Sequence, residues 1–443
     1  NTAILVLAAG QGTRMRSDLP KVMHRLAGLP MLGHVLATAR SLGSEIGVVV
    51  GPEMASVERL AAGHRLIRQQ ERLGTGHAVA QARGAFAGIE ASTVLVMYGD
   101  TPLITPETLA RMVETRERSG AAIVVLGMRP EPPGAYGRLV MAGDDLVAIV
   151  EAAEASPEQL AIPLCNSGVM AIDGRHIWPL VAQIGNANAK GEYYLTDIVA
   201  IARAQGLAAR VVEAGLEELT GVNSRAELAA AEAILQRRLR ARAMAGGATL
   251  IDPDTVYFSA DTRLGQDVVV EPNVVFGPKV TIGNRVEIRA FSHIEGAQVA
   301  DDVVIGPFAR LRPGAHLAEG VHVGNFVEIK NTRMGAGAKA NHLTYLGDAD
   351  VGAASNVGAG TITCNYDGFD KFRTTIGQGA FIGSNTALVA PVTVGDGAIT
   401  AAGSVVTHDV AADALALGRA RQVVKPGHAA RFRATKRRLK NEG

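Results

Sequence analysis

Two cysteines, Cys165 and Cys364, are too few for a disulfide framework in a chain of 443 residues, which suits a reducing cytoplasm. Aromatic residues are 4% of the sequence, so any core must be built mainly from Ala, Val, Ile and Leu. Neither sign of charge dominates. With 44 Lys and Arg against 43 Asp and Glu, the formal net charge of +1 excludes a global pull toward nucleic acid or an anionic membrane. No apolar run approaches the ~20 residues that a membrane-spanning helix needs. The apolar start at residues 3–7 has no basic residues before it and soon enters a Gly/Arg loop, a poor match to a signal peptide. A cytoplasmic globular protein of two or three domains is expected.

The first half alternates two kinds of segment. Apolar runs at residues 3–7, 46–50, 93–98 and 121–128 read as buried strands, and 31–42 and 79–87 read as helices. That alternation predicts an α/β, Rossmann-like domain with a mostly parallel sheet, and ligands gather at the carboxyl ends of such strands. Several loops fit that position. After the first strand come Gly10-Gln11-Gly12-Thr13-Arg14, then Pro20-Lys21: backbone amides open to a phosphate chain, with two cations nearby. The spacing is neither that of a Walker A loop nor of a dinucleotide fingerprint. Gln69 to His77 carries Gly74, Thr75 and Gly76, where backbone can approach a flat base. Tyr98-Gly99-Asp100 ends a strand with a carboxylate placed either to bind Mg²⁺ or to cap the next turn. Glu151 and Asn166 could hydrogen-bond sugar hydroxyls.

Residues 224–247 read as a helix about 30 Å long. Ser224-Arg225-Ala226-Glu227 is a capping-box pattern, Leu228, Ala231, Leu235 and Leu239 follow at helical spacing, and Gly246-Gly247 is the stop. Its arginines 237, 238, 240 and 242 read as a solvated face, and the helix as a spacer.

Beyond it, large apolar residues recur every sixth position: Leu264, Val270, Phe276, Ile282, Ile288 and Ile294, then Val299, Ile305, Leu311, Leu317, Val323 and Ile329. Shifted registers pass through Val351 and Val357, and through Ile376, Ile382, Leu388, Val394 and Val406, with Thr400 the exception. A six-residue period predicts a parallel β-helix of hexapeptide repeats. Residues 264–406 would give about seven coils and a prism roughly 35 Å tall at ~4.8 Å per strand. Two stretches, 334–350 and 363–375, break the rhythm and are expected to loop out. The basic end, with Lys425, Arg431, Arg433, Lys436, Arg437, Arg438 and Lys440, reads as a solvated, poorly ordered tail.

Taken together, LAAGQGTRM with Pro20-Lys21, QERLGTGHA, YGDTPL, YGR, IVE, CNSG, GEYYLTD and GVN resemble the sugar-phosphate nucleotidyltransferases in order and spacing. Over essentially the whole chain the sequence is similar to the bifunctional N-acetylglucosamine-1-phosphate uridyltransferases/glucosamine-1-phosphate acetyltransferases. The resemblance implies a nucleotidyltransferase domain at 1–223, a linker helix at 224–247, a left-handed β-helix acetyltransferase domain at 248–410 and a basic tail at 411–443. It also implies a homotrimer.

By the same resemblance, Leu7, Ala8, Ala9, Gly10, Arg14 and Lys21 would hold the phosphates of UTP and the sugar, with Arg14 and Lys21 catalytic. Gln69, Gly74 and Thr75 would read uracil, beside Tyr98 and Gly99. Asp100 and Asn223 would hold Mg²⁺, and Gly137, Glu151 and Asn166 the acetylated sugar. Ala152-Ala153-Glu154 lack the basic residue expected after Glu151. In the second half His342 would be the general base, Arg312 and Lys330 would bind the phosphate of glucosamine-1-phosphate, and Tyr345, Asn356, Asn365 and Tyr366 would position the sugar. Asn365 would orient either His342 or the developing oxyanion. Ala359, Ser384, Ala402 and Arg419, with Asn365 and Tyr366, would line the acetyl-CoA groove.

Two rival readings are a single-activity nucleotidyltransferase with a structural or regulatory β-helix, and a non-enzymatic exchange-factor-like scaffold. The set Arg312, Lys330, His342 and Asn365 argues against the first, and Arg14, Lys21, Asp100 and Asn223 against the second. No nucleic-acid partner and no membrane insertion are expected.

Overall fold

The structure, a computed structural model, describes residues 1–43, 45–88, 93–188 and 190–441. It divides into two compact units, residues 1–241 with 258–260, and residues 242–257 with those from 261 onward. Among the described residues no helix is long and apolar enough to cross a membrane.

The first unit is built on a sheet whose strands run in the order Ala209–Glu213, Ile123–Met128, Cys165–Asp173, Thr93–Tyr98, Thr2–Leu7, Glu45–Val50 and Arg65–Arg68. The central strand Thr2–Leu7 is parallel to both neighbours. Its run Ala3 to Val6 is at most 1% exposed because apolar clusters cover both sheet faces, which is why these strands read as continuous apolar runs.

One strand departs from the parallel pattern. Cys165–Asp173 is antiparallel to Thr93–Tyr98 and to Ile123–Met128, and its register shifts between Asn166 and Met170. Such a bulge takes residues out of the ladder and re-aims them. The helix expected at 79–87 is instead Thr75–Ala80; it starts directly behind the turn at Gly74, whose φ of 106° a side chain rarely tolerates.

The helix Arg225–Ala245 has 21 residues, about 31 Å at ~1.5 Å each. Half of the capping box forms. The Glu227 N–H donates to Ser224 Oγ at 3.3 Å, but the Glu227 carboxylate accepts from the backbone of Asn223 at 2.7 Å instead of from Ser224. The helix is not a free spacer. Leu228, Ile234 and Leu235 pack against Leu26, Met31, Leu103 and Val222, and the division between units falls near its C-terminal end. The solvated arginine face therefore needs correction: Arg237 and Arg242 are exposed, but Arg238 donates to the Leu103 carbonyl at 2.7 Å and Arg240 is buried, donating to Gln236 O at 3.2 Å.

The second unit is a parallel β-helix. Three sheets form its faces: ten strands from Thr249–Leu250 to Leu415–Ala416, eight from Arg263–Leu264 to Val392–Val394, and eight from Val275–Phe276 to Val405–Val406. Ten strands at ~4.8 Å stand about 43 Å tall; two of them lie outside residues 264–406, within which each face has eight strands, one more than the seven coils expected. The missing turn is residues 334–350, which do not loop out. They form the strands Arg333–Met334, Lys339–His342, Tyr345–Gly347 and Ala349–Val351, with Met334, Ala340, Leu346 and Val351 inward.

Two local features hid this turn: small Ala340 occupies an inward position, and the step shortens from six residues to five at Ile329→Met334 and at Leu346→Val351. The second expected loop is also shorter than 363–375, since Ile362–Cys364 and Thr374–Ile376 are both strands. Each coil also has a second inward position, two residues before the first. It is filled by Val268, Val274 and Val280, by Ala297, Ala309 and Ala315, and by Thr344, Ser355 and Thr361, all at most 3% exposed. The tail is not wholly irregular: His428–Asn441 is an exposed helix, and residues 442–443 lie outside the described residues.

Candidate active sites

A cavity of about 600 Å³ opens at the carboxyl ends of the parallel strands in the first unit. It is lined by the predicted Leu7, Ala8, Ala9, Gly10, Lys21, Gln69, Gly74, Thr75, Tyr98, Asp100, Glu151 and Asn166. Asn223 is joined to it through Lys21, whose Nζ donates to Asn223 Oδ1 at 2.8 Å and to Asp100 Oδ2. Gly99 and Gly137 support from behind: Gly99 N–H donates to Leu7 O and Asn166 N–H to Gly137 O, at 2.9 and 2.8 Å. Arg14 is the exception, being exposed on the short turn Thr13–Met15 and not among the lining residues.

Local chemistry accounts for these placements. Gly12 has φ 68°, and a Cβ there would lie 2.4 Å from Lys21 Cβ; the glycine makes room for the lysine stem. Gln69, 4% exposed, donates to Gly74 O at 3.1 Å. A Cβ on Gly74 would strike Tyr193 O at 2.6 Å, so the turn is pinned against the Tyr193–Tyr194 stretch, and Thr75 Oγ1 accepts from Leu195 N–H at 3.0 Å. Glu151 accepts from Thr196 Oγ1 at 3.1 Å. Burial, then the charge of Asp100, pushes the Tyr98 hydroxyl far above its ordinary pKa, so it stays protonated. Burial, together with Glu154 and Glu151, raises the Asp197 carboxyl.

Sequence reasoning passed over Arg72, Tyr194, Thr196 and Lys190, all of which line the cavity. Arg72 Nε donates to the Ala9 carbonyl at 2.7 Å, bracing the phosphate-type loop. The signal was present, because Arg72 lies within QERLGTGHA and Tyr194 and Thr196 within GEYYLTD. Lys190 supplies a cation on this cavity although none follows Glu151.

The second cluster lies along the β-helix. His342 ends the strand Lys339–His342 and is exposed; its Nδ1 lies 2.9 Å from Asn325 Oδ1 on the adjoining coil. On the next face Arg312 donates to Glu328 at 2.7 Å. Lys330 Nζ lies 3.7 Å from Asp348, whose carboxylate also accepts from the Asn331 and Asn365 amides at 2.5 Å each. Burial resists ionisation of Asp348, but those hydrogen bonds and the charges of Lys330 and Lys371 outweigh it and hold the carboxyl below its usual range. A Cβ on Gly347 would meet the Tyr345 hydroxyl at 2.3 Å and Asn365 Nδ2 at 2.8 Å, so the absence of a side chain lets both approach.

Asn365 thus bonds Asp348, and the residue that meets His342 is Asn325, which corrects one of the two roles open to Asn365. Tyr366 is exposed on the loop, its hydroxyl donating to Gly368 O at 2.5 Å. Asn356 lies in the strand that pairs with that of His342. Below His342, on the same sheet, Ala359, Ser384 and Ala402 each lie two residues past the paired positions Val357, Ile382 and Thr400. Arg419 donates to Ala402 O at 2.7 Å. Asn325, Glu328 and Asp348, missed in the sequence, sit 17, 16 and 17 or 18 residues from His342, Arg312, Asn365 and Lys330, about one coil.

A wound sheet with a phosphate-type loop and a hexapeptide coil with a basic histidine site define a nucleotidyltransferase and an acyltransferase in one chain. Comparison agrees. Residues 4–168 match a MobA-like NTP transferase domain, and residues 261–296 and 373–408 the bacterial transferase hexapeptide (six repeats); this fits left-handed coiling. A protein of Rhodospirillum rubrum called "Bifunctional protein GlmU" is 63% identical over 440 residues, 99% of this chain and 98% of its own. Its namesake from Paramagnetospirillum magneticum is 58% identical over 434 residues, 98% of this chain and 96% of its own. The chain belongs to the bifunctional GlmU family, whose members combine uridyltransferase and acetyltransferase activities. Both rival readings are thereby set aside.

Proposed function

We propose that the chain makes UDP-N-acetylglucosamine in two steps, acetyl transfer from acetyl-CoA to glucosamine-1-phosphate in the second unit and uridylyl transfer from UTP in the first. What supports it is the presence of two separate anion-handling clusters, each with the groups its chemistry requires.

In the first cavity the sugar phosphate attacks the α-phosphorus of UTP and pyrophosphate leaves. The chain's task is to align and neutralise polyanions. The Leu7–Gly10 backbone and Lys21 do this, with Gln69, Gly74 and Thr75 on the base and Glu151 and Asn166 on the sugar. Arg14 joins them only if its turn closes over the phosphates. The donor set suits Mg²⁺: Asp100 Oδ2 and Asn223 Oδ1 already converge on one cation, Lys21 Nζ, and Mg²⁺ favours a few oxygen ligands completed by phosphate and water. When bound, the ion would add positive charge against the phosphates.

In the second cluster His342 Nε2 accepts a proton from the sugar amine as its nitrogen attacks the thioester carbonyl; the C–S bond breaks, the imidazolium passes that proton to the sulfur, and CoA departs as the thiol. Arg312 and Lys330 hold the sugar phosphate; Tyr345, Asn356, Asn365 and Tyr366 hold the sugar. The edge through Ala359, Ser384, Ala402 and Arg419 takes acetyl-CoA. Two assays test the reading: pyrophosphate from UTP plus N-acetylglucosamine-1-phosphate, and CoA thiol from acetyl-CoA plus glucosamine-1-phosphate. His342→Ala is expected to abolish only the second and Asp100→Ala only the first; loss of both in either folded variant overturns it.

The coil also supports a homotrimer. Phe291, Phe308 and Phe326 stack at one corner with ring centroids 4.9 and 5.2 Å apart, and Leu343 follows on the next coil. All four have positive φ and are 46–62% exposed. Large apolar side chains held outward in a rarely used conformation suit a buried contact with other copies, beside His342.

A further inference from the structure

The proposal that His342 is the base leaves open what prepares its ring. Neutral imidazole has one protonated nitrogen and one lone pair, and the hydrogen bond made by the first decides which nitrogen can act as base. Here Nδ1 faces Asn325 Oδ1 at 2.9 Å. An amide oxygen only accepts, so this contact requires the proton on Nδ1 and leaves the Nε2 lone pair free. We propose that Asn325 is a positioning residue for acetyl transfer, holding His342 as the Nδ1–H tautomer with Nε2 free to take the amine proton. The inference rests on the assignment of His342 as base.

The surroundings make this contact a built feature of the coil. Asn325 and His342 are register partners on adjacent parallel strands, His322–Asn325 and Lys339–His342, so the two side chains leave the same edge of the same sheet one coil apart. The backbone fixes both ends: Leu343 N–H donates to Asn325 O at 3.0 Å, and the His342 carbonyl accepts from Thr344 Oγ1 at 2.7 Å and from Gly360 N–H at 3.3 Å. With the main chain pinned on both sides, the ring has little freedom beyond its own two torsions, and Asn325 sets its rotation.

The partner is also neutral. A carboxylate there would stabilise the imidazolium and raise the pH needed to free the base; an amide orients the ring without that charge. The ionisable groups on packed strands are Lys339 on the histidine's own strand, His322 on the coil above, and Glu328, Lys330 and Tyr345 on the next face. The paired strand Asn356–Val357 carries none. Among the described residues no hydrogen bond joins any of these five to the imidazole ring, so Asn325 holds the contact that selects the tautomer.

The test uses the full chain with Asn325→Ala, Asn325→Asp and His342→Ala. For Asn325→Ala, kcat of acetyl transfer is expected to fall about 10- to 100-fold, by analogy with removing the hydrogen-bond partner of a metal-bound histidine. KM for both substrates and the rate of uridylyl transfer should stay within twofold. For Asn325→Asp, the acidic limb of the kcat profile should move up by roughly one pH unit. A purely structural role would not produce that shift.

Nitrogen-15 NMR of histidine-labelled protein, with His342 assigned by its loss in His342→Ala, reads the tautomer directly. The wild type should show a protonated Nδ1, and Asn325→Ala should shift the ring toward the Nε2–H form. A wild-type ring already protonated on Nε2, or Asn325→Ala with kcat within twofold of wild type, overturns the proposal. Because the NMR result needs no turnover, it stands apart from the base assignment, which fails only if His342→Ala still releases CoA. Should Asn325→Ala not fold, the wild-type spectrum and the Asn325→Asp profile decide the matter.

Discussion

Asp348 joins the stability of the β-helix to its chemistry, so removing it should damage both by separable amounts. The residue is 8% exposed and turns a corner with φ 50°. Its carboxylate accepts from Asn365, itself 6% exposed, and from exposed Asn331, and it faces Lys330. Asp348→Ala leaves the Asn365 amide buried without its acceptor, a cost of about 1–3 kcal/mol. It also removes the charged hydrogen bond to Asn331 and the Lys330 contact, worth about 1 kcal/mol more at partly exposed groups. Alanine tolerates the left-handed corner less well than aspartate, a further ~0.5 kcal/mol. The sum is about 2.5–4.5 kcal/mol.

Asp348→Asn keeps size and corner but sets one amide against another, and should cost about half as much. Urea unfolding of the coil, followed by loss of acetyl transfer, measures these costs. KM for glucosamine-1-phosphate should rise at least tenfold in Asp348→Ala, because Lys330 and Asn365 lose their anchor, while KM for UTP stays put. The pH sign follows from a folded pKa below the ordinary carboxylate value: the stabilisation is present above about pH 4 and lost as pH falls through the lower folded value. Asp348→Asn should lack that dependence. Equal stability of all three proteins, or an unchanged KM, would refute the reasoning.

Four other outcomes follow from the same physics. In the first unit the Arg175 hydrogen bonds, outweighing burial, with the Arg175 and Arg116 charges, hold Asp173 at about 2, from an ordinary 3.8, so its stabilisation should fade between about pH 4 and pH 2 and be absent in Asp173→Asn by acid unfolding. A Cβ at Gly352 would lie 2.4 Å from Gln378 N and from Gly377 C; Gly352→Ala should cost acetyl transfer and coil stability while pyrophosphate release persists. Phe308→Asp puts a charge in the exposed aromatic stack, and light scattering should report smaller assemblies than wild type. Arg72→Met releases the Ala9 carbonyl from its 2.7 Å bond, and kcat/KM for UTP should drop by on the order of tenfold.

What could be read from the sequence was whatever repeats or stays local. The strands near Ala3, Ile46 and Thr93 were legible because burial on both faces demands unbroken apolar runs. The antiparallel strand Cys165–Asp173 was not, since Asn166-Ser167-Gly168 spells a loop; it stays within the strand, with Asn166 paired to Gly127, but the ladder shifts register before Met170 and Asn166 lines the cavity. Arg238 and Arg240 misled for a related reason. Charge at helical spacing implies a wet face, but here neighbouring backbone carbonyls take the place of water.

In the coil the same logic carries the chemistry. One turn of 17 or 18 residues brings residues that are distant in sequence within about 5 Å of one another, so the partner of a site residue is sought one turn away. Asn325 lies one turn above His342, and Ala359 one turn below. From His342 to Ala402 is three strand spacings along the sheet, about 14 Å, giving an extended thioester arm a straight edge of small side chains to lie along. Arg312 and Lys330, the cations proposed for the sugar phosphate, are themselves one turn apart on the adjoining face, so amine and thioester would approach His342 from different faces of one corner. A shift of one residue in the period would separate all of these groups at once. The coil therefore tolerates five-residue steps only where the next turn regains register, as at Met334 and Val351, on the two sides of His342.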